Sequence, residues 1–151
     1  MPEYSSQTPP RSATGGLIPF VDRSGLVLEE ARRGYVRMRM PLEGNVNHVG
    51  MMYAGALFTL AEVPGGALFV SSFDAKQFYP IVKSLDIQFR RPAKSDITVE
   101  VSLTDARIEE IAAAAEANGK ADYDWECELV DAEGTVVART TNRYQMRRIG
   151  T

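Results

Sequence analysis

Cysteine and histidine are almost missing from this sequence, which has one of each among its 151 residues, Cys127 and His48. A single cysteine cannot form an intramolecular disulfide, so the core must hold the fold together without a covalent framework. It also excludes zinc and iron–sulfur sites built from several cysteines, and one histidine excludes a His-rich metal site. We therefore expect no metal and no resident cofactor.

An excess of charge of one sign is missing as well. The chain has 17 basic and 20 acidic residues and a net charge of -3. Its surface as a whole should not attract nucleic acid or anionic membranes, and an anionic ligand would need a local basic cluster. Apolar residues make up 44% and charged residues 25%, which is typical of a soluble globular protein with one sizeable core.

The N-terminus lacks the apolar core of a secretory signal. Residues 1–14 are polar and rich in Pro, Ser and Thr, which predicts a mobile tail, a single domain over residues 15–151 and a cytoplasmic location. The segment Met51 to Val70 is apolar enough for a membrane helix to be considered. However, Glu62 and Pro64 interrupt it and no basic flank anchors it, so we interpret it as a buried core helix and expect no membrane partner.

Six other segments alternate apolar and polar residues or combine strand-forming residues with turn signals, as strands with one buried face do. A helix from Asp105 to Ala117 is predicted between the fourth and fifth of them, ended by Asn118-Gly119. Strands that follow one another around a single apolar helix favour an α+β fold, in which an antiparallel sheet curls around the helix. One sheet covers only one side of that helix, which also favours a dimer. The predicted strands cover residues 26–32, 35–40, 85–90, 97–103, 123–129 and 136–144.

Glu62 is the ionisable residue of the apolar segment. Burying a carboxylate without a partner costs several kcal/mol, so its pKa shifts or donors hold its charge, and both outcomes are useful in catalysis. The alternative is that Glu62 caps a backbone amide or faces solvent. Pro64, with Gly65 and Gly66 behind it, should bend the helix within a turn of Glu62. From the sequence alone, that bend serves the packing of the sheet as well as it serves a site.

Asn47 and His48 lie in an irregular loop before the helix. A helix N-terminus offers free N–H groups and a positive dipole end that can stabilise an oxyanion, and the small residues Ala54 and Gly55 would let a carbonyl approach. A lone histidine such as His48 is more often a hydrogen-bonded loop residue than a general base.

A basic cluster ends the third predicted strand. Arg90, Arg91 and Lys94 surround a proline. Such residues usually form a solvated strand end. In an acidic protein they are also the best candidates for binding phosphates.

Three stretches, in order, resemble the PaaI-like hotdog thioesterases. Asn47 to Glu62, NHVGMMYAGALFTLAE, is similar to the motif with which the family's central helix begins, and Phe89-Arg-Arg-Pro-Ala and the Asp131 to Ala138 hairpin also match. The resemblance covers about residues 15–148. It implies a hotdog fold, with about six curved antiparallel strands around one long central helix and a short inserted helix. It also implies hydrolysis of acyl- or aryl-coenzyme A by a homodimer, with a dimer of dimers left open, and coenzyme A present only as part of the substrate.

The resemblance also implies roles for single residues. Glu62 would act as nucleophile or as the base that activates water, and Asn47 would help to hold that water or the thioester. Backbone N–H groups at Ala54 and Gly55 would polarise the carbonyl. Tyr53 and Ala54 replace the family's usual histidine and glycine. The residues expected to contact substrate or its coenzyme A phosphates are Tyr53, Phe58, Arg91 and Lys94.

Two other functions stay open. His48 and Glu62 are spaced like the catalytic pair of hotdog β-hydroxyacyl dehydratases, although the Pro-Gly signature of that group is missing between them. A non-catalytic acyl-coenzyme A binding module is the third hypothesis. Hydrolysis should depend on Glu62 alone, dehydration on both residues, and binding on neither.

Overall fold

The computed structural model describes residues 11–151. A single sheet of seven antiparallel strands forms one layer, and its strand order is β1-β2-β3-β5-β6-β7-β4. The six predicted strands are all present, as β2 to β7. The strands are β1 Arg11–Ser12, β2 Val27–Arg32, β3 Tyr35–Met40, β4 Phe78–Phe89, β5 Ile97–Ser102, β6 Lys120–Val130 and β7 Val136–Arg148.

Four helical segments complete the part of the chain that the structure describes. The predicted central helix, Ala54 to Ser72, is present as two consecutive segments joined at Val63, and the inserted helix lies between β5 and β6 as predicted. Thr104 caps this inserted helix by accepting a hydrogen bond from the Arg107 N–H at 3.1 Å, and Gly119 ends it at a φ of 77°, the left-handed conformation that glycine favours. The helices are α1 Pro19–Arg23, α2 Ala54–Glu62, α3 Pro64–Ser72 and α4 Asp105–Asn118.

The core lies between the sheet and the central helix. In β6, Tyr123, Trp125 and Cys127 are buried while the residues between them are exposed, because side chains of a strand point alternately to its two faces. Leu60 and Ala61 of α2 are fully buried against this face. The α+β hotdog architecture predicted from the sequence is therefore confirmed.

Several boundaries differ from the prediction by a few residues, and two of these differences have a clear structural cause. Residues 11–14 were assigned to the tail, but Arg11 and Ser12 pair with β2, and Thr14 bonds through its backbone N–H and its hydroxyl to Asp22. Residues 11–14 therefore belong to the folded part, and the predicted mobility of residues 1–10 lies outside the described residues.

The second difference is in β4, which begins at Phe78 rather than at Leu85. Two features explain why the alternation of apolar and polar residues does not reveal the first half of β4. Pro80 suits only an edge strand, and a register shift between Val82 and Ser84 breaks the alternation.

Within residues 11–151, one helix is long and apolar enough to span a membrane by length and composition alone. It is the central helix, Ala54–Ser72, and 56% of its most apolar window is buried inside the protein. Its buried residues pack against the sheet, as expected of a core helix.

Candidate active site

Glu62 is the last residue of α2 and is half-buried. Burial raises the pKa of its carboxyl group, because a charged carboxylate loses hydration there. Among the described residues, no side chain or backbone N–H donates a hydrogen bond to this carboxylate. Residues 11–151 also contain no group of three or more His, Cys, Asp or Glu side chains that could hold a metal ion.

The side chain borders an apolar cavity of about 520 Å³. Glu62, Gly66 and Val70 follow one another at four-residue intervals and line it from the central helix, because residues four apart share a helix face. The aromatic residues Phe69 and Phe78 also line it, whereas Phe58, which was expected to contact the substrate, does not. The opposite wall comes from the N-terminal segment and two strands, through Leu17, Ile18, Leu28, Ala31, Tyr79 and Pro80.

Helical hydrogen bonding is interrupted directly after Glu62. Val63 keeps helical dihedral angles, φ −61° and ψ −36°, but Pro64 has no N–H to donate. The Gly66 N–H bonds to the carbonyl of Val63 at 3.1 Å, three residues back rather than four. Pro64 thus changes the hydrogen bonding beside Glu62 without ending the helix.

Side chains of β7 bond to the carbonyls at this break. The Asn142 amide donates to the Ala61 carbonyl at 3.0 Å, and the Tyr144 hydroxyl donates to the Glu62 carbonyl at 2.7 Å. Asn142 and Tyr144 are almost completely buried. Sequence analysis missed both, because their positions in β7 fit an ordinary buried strand face.

A second group of predicted residues lies at the other end of α2. The side-chain oxygen of Asn47 accepts hydrogen bonds from the N–H groups of Val49 and Met51, at 2.9 and 3.1 Å. These bonds shape the loop, so the amide NH₂ of Asn47 is the part left to face a ligand. His48 in the same loop is exposed.

The start of α2 presents unused backbone donors. Tyr53 is the N-cap residue and makes no side-chain capping bond, and within the described residues the N–H groups of Ala54 and Gly55 have no acceptor. The first N–H groups of a helix lack intrahelical partners, and they carry the positive end of the dipole. The ring of Tyr53 lies against Gly55, where a Cβ would overlap it. The missing side chain of Gly55 therefore makes room for the ring of Tyr53.

The two residues predicted to bind phosphate lie on a segment that is bonded to the loop before α2. The Met52 N–H bonds to the carbonyl of Ala93 at 2.8 Å, which joins the loop before α2 to the segment that carries Arg91 and Lys94. Both basic side chains are exposed.

Within one chain, the N–H donors at the start of α2 are separated from Glu62 at its end. An α-helix rises about 1.5 Å per residue, so the seven steps from Gly55 to Glu62 place them about 10 Å apart.

Residues 11–146 match the family described as a domain of unknown function, DUF4442. A crystal structure from Pseudomonas aeruginosa, described as a protein of unknown function and probable thioesterase, is 55% identical, with a TM-score of 0.87, over 91% of this chain and 93% of that one.

The chain belongs to the DUF4442 family. Among more distant structures, a thioesterase from Haemophilus influenzae is 12% identical with a TM-score of 0.68, over 87% of this chain and 85% of that one. A thioesterase from Staphylococcus aureus is 14% identical with a TM-score of 0.69, over 85% of this chain and 98% of that one. These two show the fold alone. No protein of curated function matches the sequence. The predicted relation of this DUF4442 protein to hotdog thioesterases is confirmed.

Proposed function

We propose that this DUF4442 protein is a thioesterase that hydrolyses acyl-coenzyme A, with Glu62 as the general base. The observation that carries the proposal is a half-buried carboxylate with a raised pKa at the edge of an apolar cavity. A base whose pKa is raised toward neutrality accepts a proton more readily while it stays ionised at working pH. The thioesterase relatives support the same reaction class.

The proposed reaction needs only water as co-reactant. Glu62 accepts a proton from a water molecule while the water oxygen attacks the thioester carbonyl carbon. The carbon–sulfur bond of the tetrahedral intermediate then breaks, and the thiolate of coenzyme A leaves. The proton held by Glu62 returns to that sulfur, so the products are a carboxylic acid and free coenzyme A.

The oxyanion of the intermediate is assigned to the free N–H groups of Ala54 and Gly55. Removing one such donor from an active site typically lowers kcat by about 10² to 10³. Because these donors are about 10 Å from Glu62 of the same chain, we assign them to the second copy in a homodimer.

The edge of the sheet supports such a dimer. β4 is 12 residues long, and among residues 11–151 its one partner strand is β7, so its outer backbone groups are open to pairing with another strand. Apolar side chains on it are exposed, among them Tyr79, Val82 and Phe89. Pairing of two β4 strands would cover this edge and bring two central helices next to each other.

The two parts of the substrate fit different surfaces. The acyl chain would occupy the apolar cavity beside Glu62, where burial of each methylene contributes about 0.8 kcal/mol. Arg91 and Lys94 would contact the phosphates of coenzyme A, because Arg binds them bidentately and Lys as a point charge.

Complementation between two variants tests this shared site. Glu62→Gln removes the base, and Ala54→Pro removes one N–H donor while proline remains compatible with the first position of a helix. Each variant alone should lose activity. Random exchange of subunits should restore about a quarter of wild-type activity, because half of the dimers then carry one intact site.

Size-exclusion chromatography with light scattering should show a dimer for each variant and for the mixture. If the mixture stays as inactive as its components although the subunits have exchanged, the two groups do not share a site across the dimer. If Ala54→Pro is fully active, its N–H is not the oxyanion donor.

A further inference from the structure

The sequence Val63-Pro64-Gly65-Gly66 has no part in the reaction proposed above, yet it follows the base directly. Pro64 has no N–H to donate to the carbonyl of Leu60, and the Gly66 N–H bonds to the carbonyl of Val63 rather than to that of Glu62. Two β7 side chains donate instead to the carbonyls of Ala61 and Glu62. This arrangement joins the backbone of the proposed base to β7, which pairs with β6 on one side and β4 on the other.

We propose that Tyr144 and Asn142 are positioning residues, which hold the backbone of Glu62 so that its carboxylate stays at the edge of the cavity. The inference rests on the proposed role of Glu62 as the base. Neither residue touches substrate in this proposal, and both act through the carbonyls at the helix break.

The packing of its ring fixes the direction in which the Tyr144 hydroxyl points. Its ring packs nearly parallel to the rings of Trp125 and Tyr123, with centroids 5.5 and 5.9 Å away. Gly65 covers the end of the ring, where an added Cβ would overlap the hydroxyl and its carbon. Only glycine at position 65 therefore lets Tyr144 reach the carbonyl of Glu62 from this side.

Asn142 is oriented by a directed chain of hydrogen bonds. The Thr140 hydroxyl donates to the side-chain oxygen of Asn142 at 2.7 Å, which turns the amide NH₂ toward the carbonyl of Ala61. Because Thr140 uses its proton in that bond, its oxygen accepts from the thiol of Cys127 at 2.9 Å. All members are buried, so the amide has a single satisfied orientation.

Holding a backbone carbonyl matters because it fixes the Cα from which the side chain of Glu62 extends. A displacement of about 1 Å at a reacting group can reduce the rate by about 10²-fold. Without the two bonds, the last turn of α2 could relax and let the carboxylate move toward water. The pKa of Glu62 would then fall toward its ordinary value, since its burial is the cause of the rise.

The titratable groups around Glu62 are few. Tyr144 faces it from β7, and burial, followed by the charge of Glu62, raises the pKa of that phenol well above its ordinary value. Tyr79 lines the same cavity from β4. In the neutral pH range Tyr144 therefore stays protonated as the hydrogen-bond donor, and the titration of Glu62 is the one that the proposal concerns.

A matched pair of substitutions tests the proposal. Tyr144→Phe and Tyr123→Phe each remove one hydroxyl from a buried tyrosine on neighbouring strands. The Tyr144 hydroxyl holds the Glu62 carbonyl, whereas the Tyr123 hydroxyl has no hydrogen-bond partner among the described residues. Both variants of the full-length protein are assayed for decanoyl-coenzyme A hydrolysis across pH, and the pKa of Glu62 is followed by ¹³C NMR of the labelled carboxyl group.

For Tyr144→Phe we expect a loss of kcat of about 10- to 100-fold with little change in KM. The acidic limb of the kcat profile and the NMR-measured pKa of Glu62 should both move down. Tyr123→Phe should leave all of these at wild-type values. Asn142→Leu, which removes the other bond, should move the NMR-measured pKa in the same direction as Tyr144→Phe.

Equal kcat, KM and Glu62 pKa in the two tyrosine variants would overturn the proposal, even if Tyr144→Phe lowered the Tm, because a structural role alone explains lower stability. If the wild type cleaves no thioester, the proposed function fails. The NMR comparison still decides the positioning role in that case, since it needs no turnover.

Discussion

Substituting Gly66 with leucine should shorten the acyl chain that the protein accepts. Gly66 lies one turn after Glu62 on the same face of the central helix and lines the cavity. A Cβ built at this position meets no atom within 4 Å, and φ is not in the left-handed region, so a larger side chain enters open space without backbone strain.

The size of the effect follows from the volume that leucine occupies. If its branched end displaces about three methylenes of a long acyl chain, at about 0.8 kcal/mol each, the lost binding is about 2.4 kcal/mol. At 1.36 kcal/mol per tenfold change, this lowers kcat/KM for tetradecanoyl-coenzyme A by about 60-fold. Hexanoyl-coenzyme A, which does not reach that part of the cavity, should be hydrolysed at close to the wild-type rate.

The assay is thiol release from a series of straight-chain acyl-coenzyme A substrates. Gly66→Ala is the graded control and should have a smaller effect of the same kind. Ala113→Leu is the surface control, because Ala113 is exposed on α4 and does not line the cavity. An equal loss for all chain lengths in Gly66→Leu would refute the placement of the acyl chain in this cavity.

Three further predictions concern stability and reactivity. Burial raises the pKa of Glu62, so its contribution to stability is present below the ordinary carboxyl pKa and is lost as pH rises through the raised one. The Tm of Glu62→Gln should therefore exceed that of the wild type at pH 8 and match it below about pH 4, and a lower Tm at pH 8 would contradict this. Burial raises the pKa of Cys127 to about 11, so native protein should resist iodoacetamide at pH 8 and react only when unfolded. Gly34→Ala places a Cβ 2.5 Å from the Leu103 carbonyl oxygen at a φ of 76° and should cost about 1–3 kcal/mol by denaturant unfolding. Gly134→Ala, with open space at a similar φ, is its control and should cost less.

The sequence was sufficient to predict the central helix, the six longer strands and the place of Glu62, because each depends on a local pattern. Alternating residues such as those of β6 predict a half-buried strand, and the single carboxylate in an apolar run indicates a constrained group. Glycine after the inserted helix predicted the end of α4, since Gly119 needs a left-handed conformation there.

What the sequence could not predict depends on residues far apart in the chain. Asn142 and Tyr144 meet the helix break 81 and 82 residues away, and only the register of β6 and β7 shows that they face it. Gly65 looked like a helix breaker, but its function in packing becomes visible only with the Tyr144 ring beside it. The N-terminal wall of the cavity was missed because Leu17 and Ile18 lie in a stretch with little periodicity.

Thiol release by wild type, Glu62→Gln and His48→Ala is the most direct test of the central claim. Each protein is incubated with a panel of acyl- and aryl-coenzyme A thioesters, and its Tm is measured with and without each substrate. The proposed thioesterase should release thiol from straight-chain substrates, lose this activity in Glu62→Gln with substrate still raising the Tm, and keep it in His48→Ala. If the wild type releases no thiol although the same substrates raise its Tm, the protein is an acyl-thioester binder, and the assignment of Glu62 as a catalytic base is wrong.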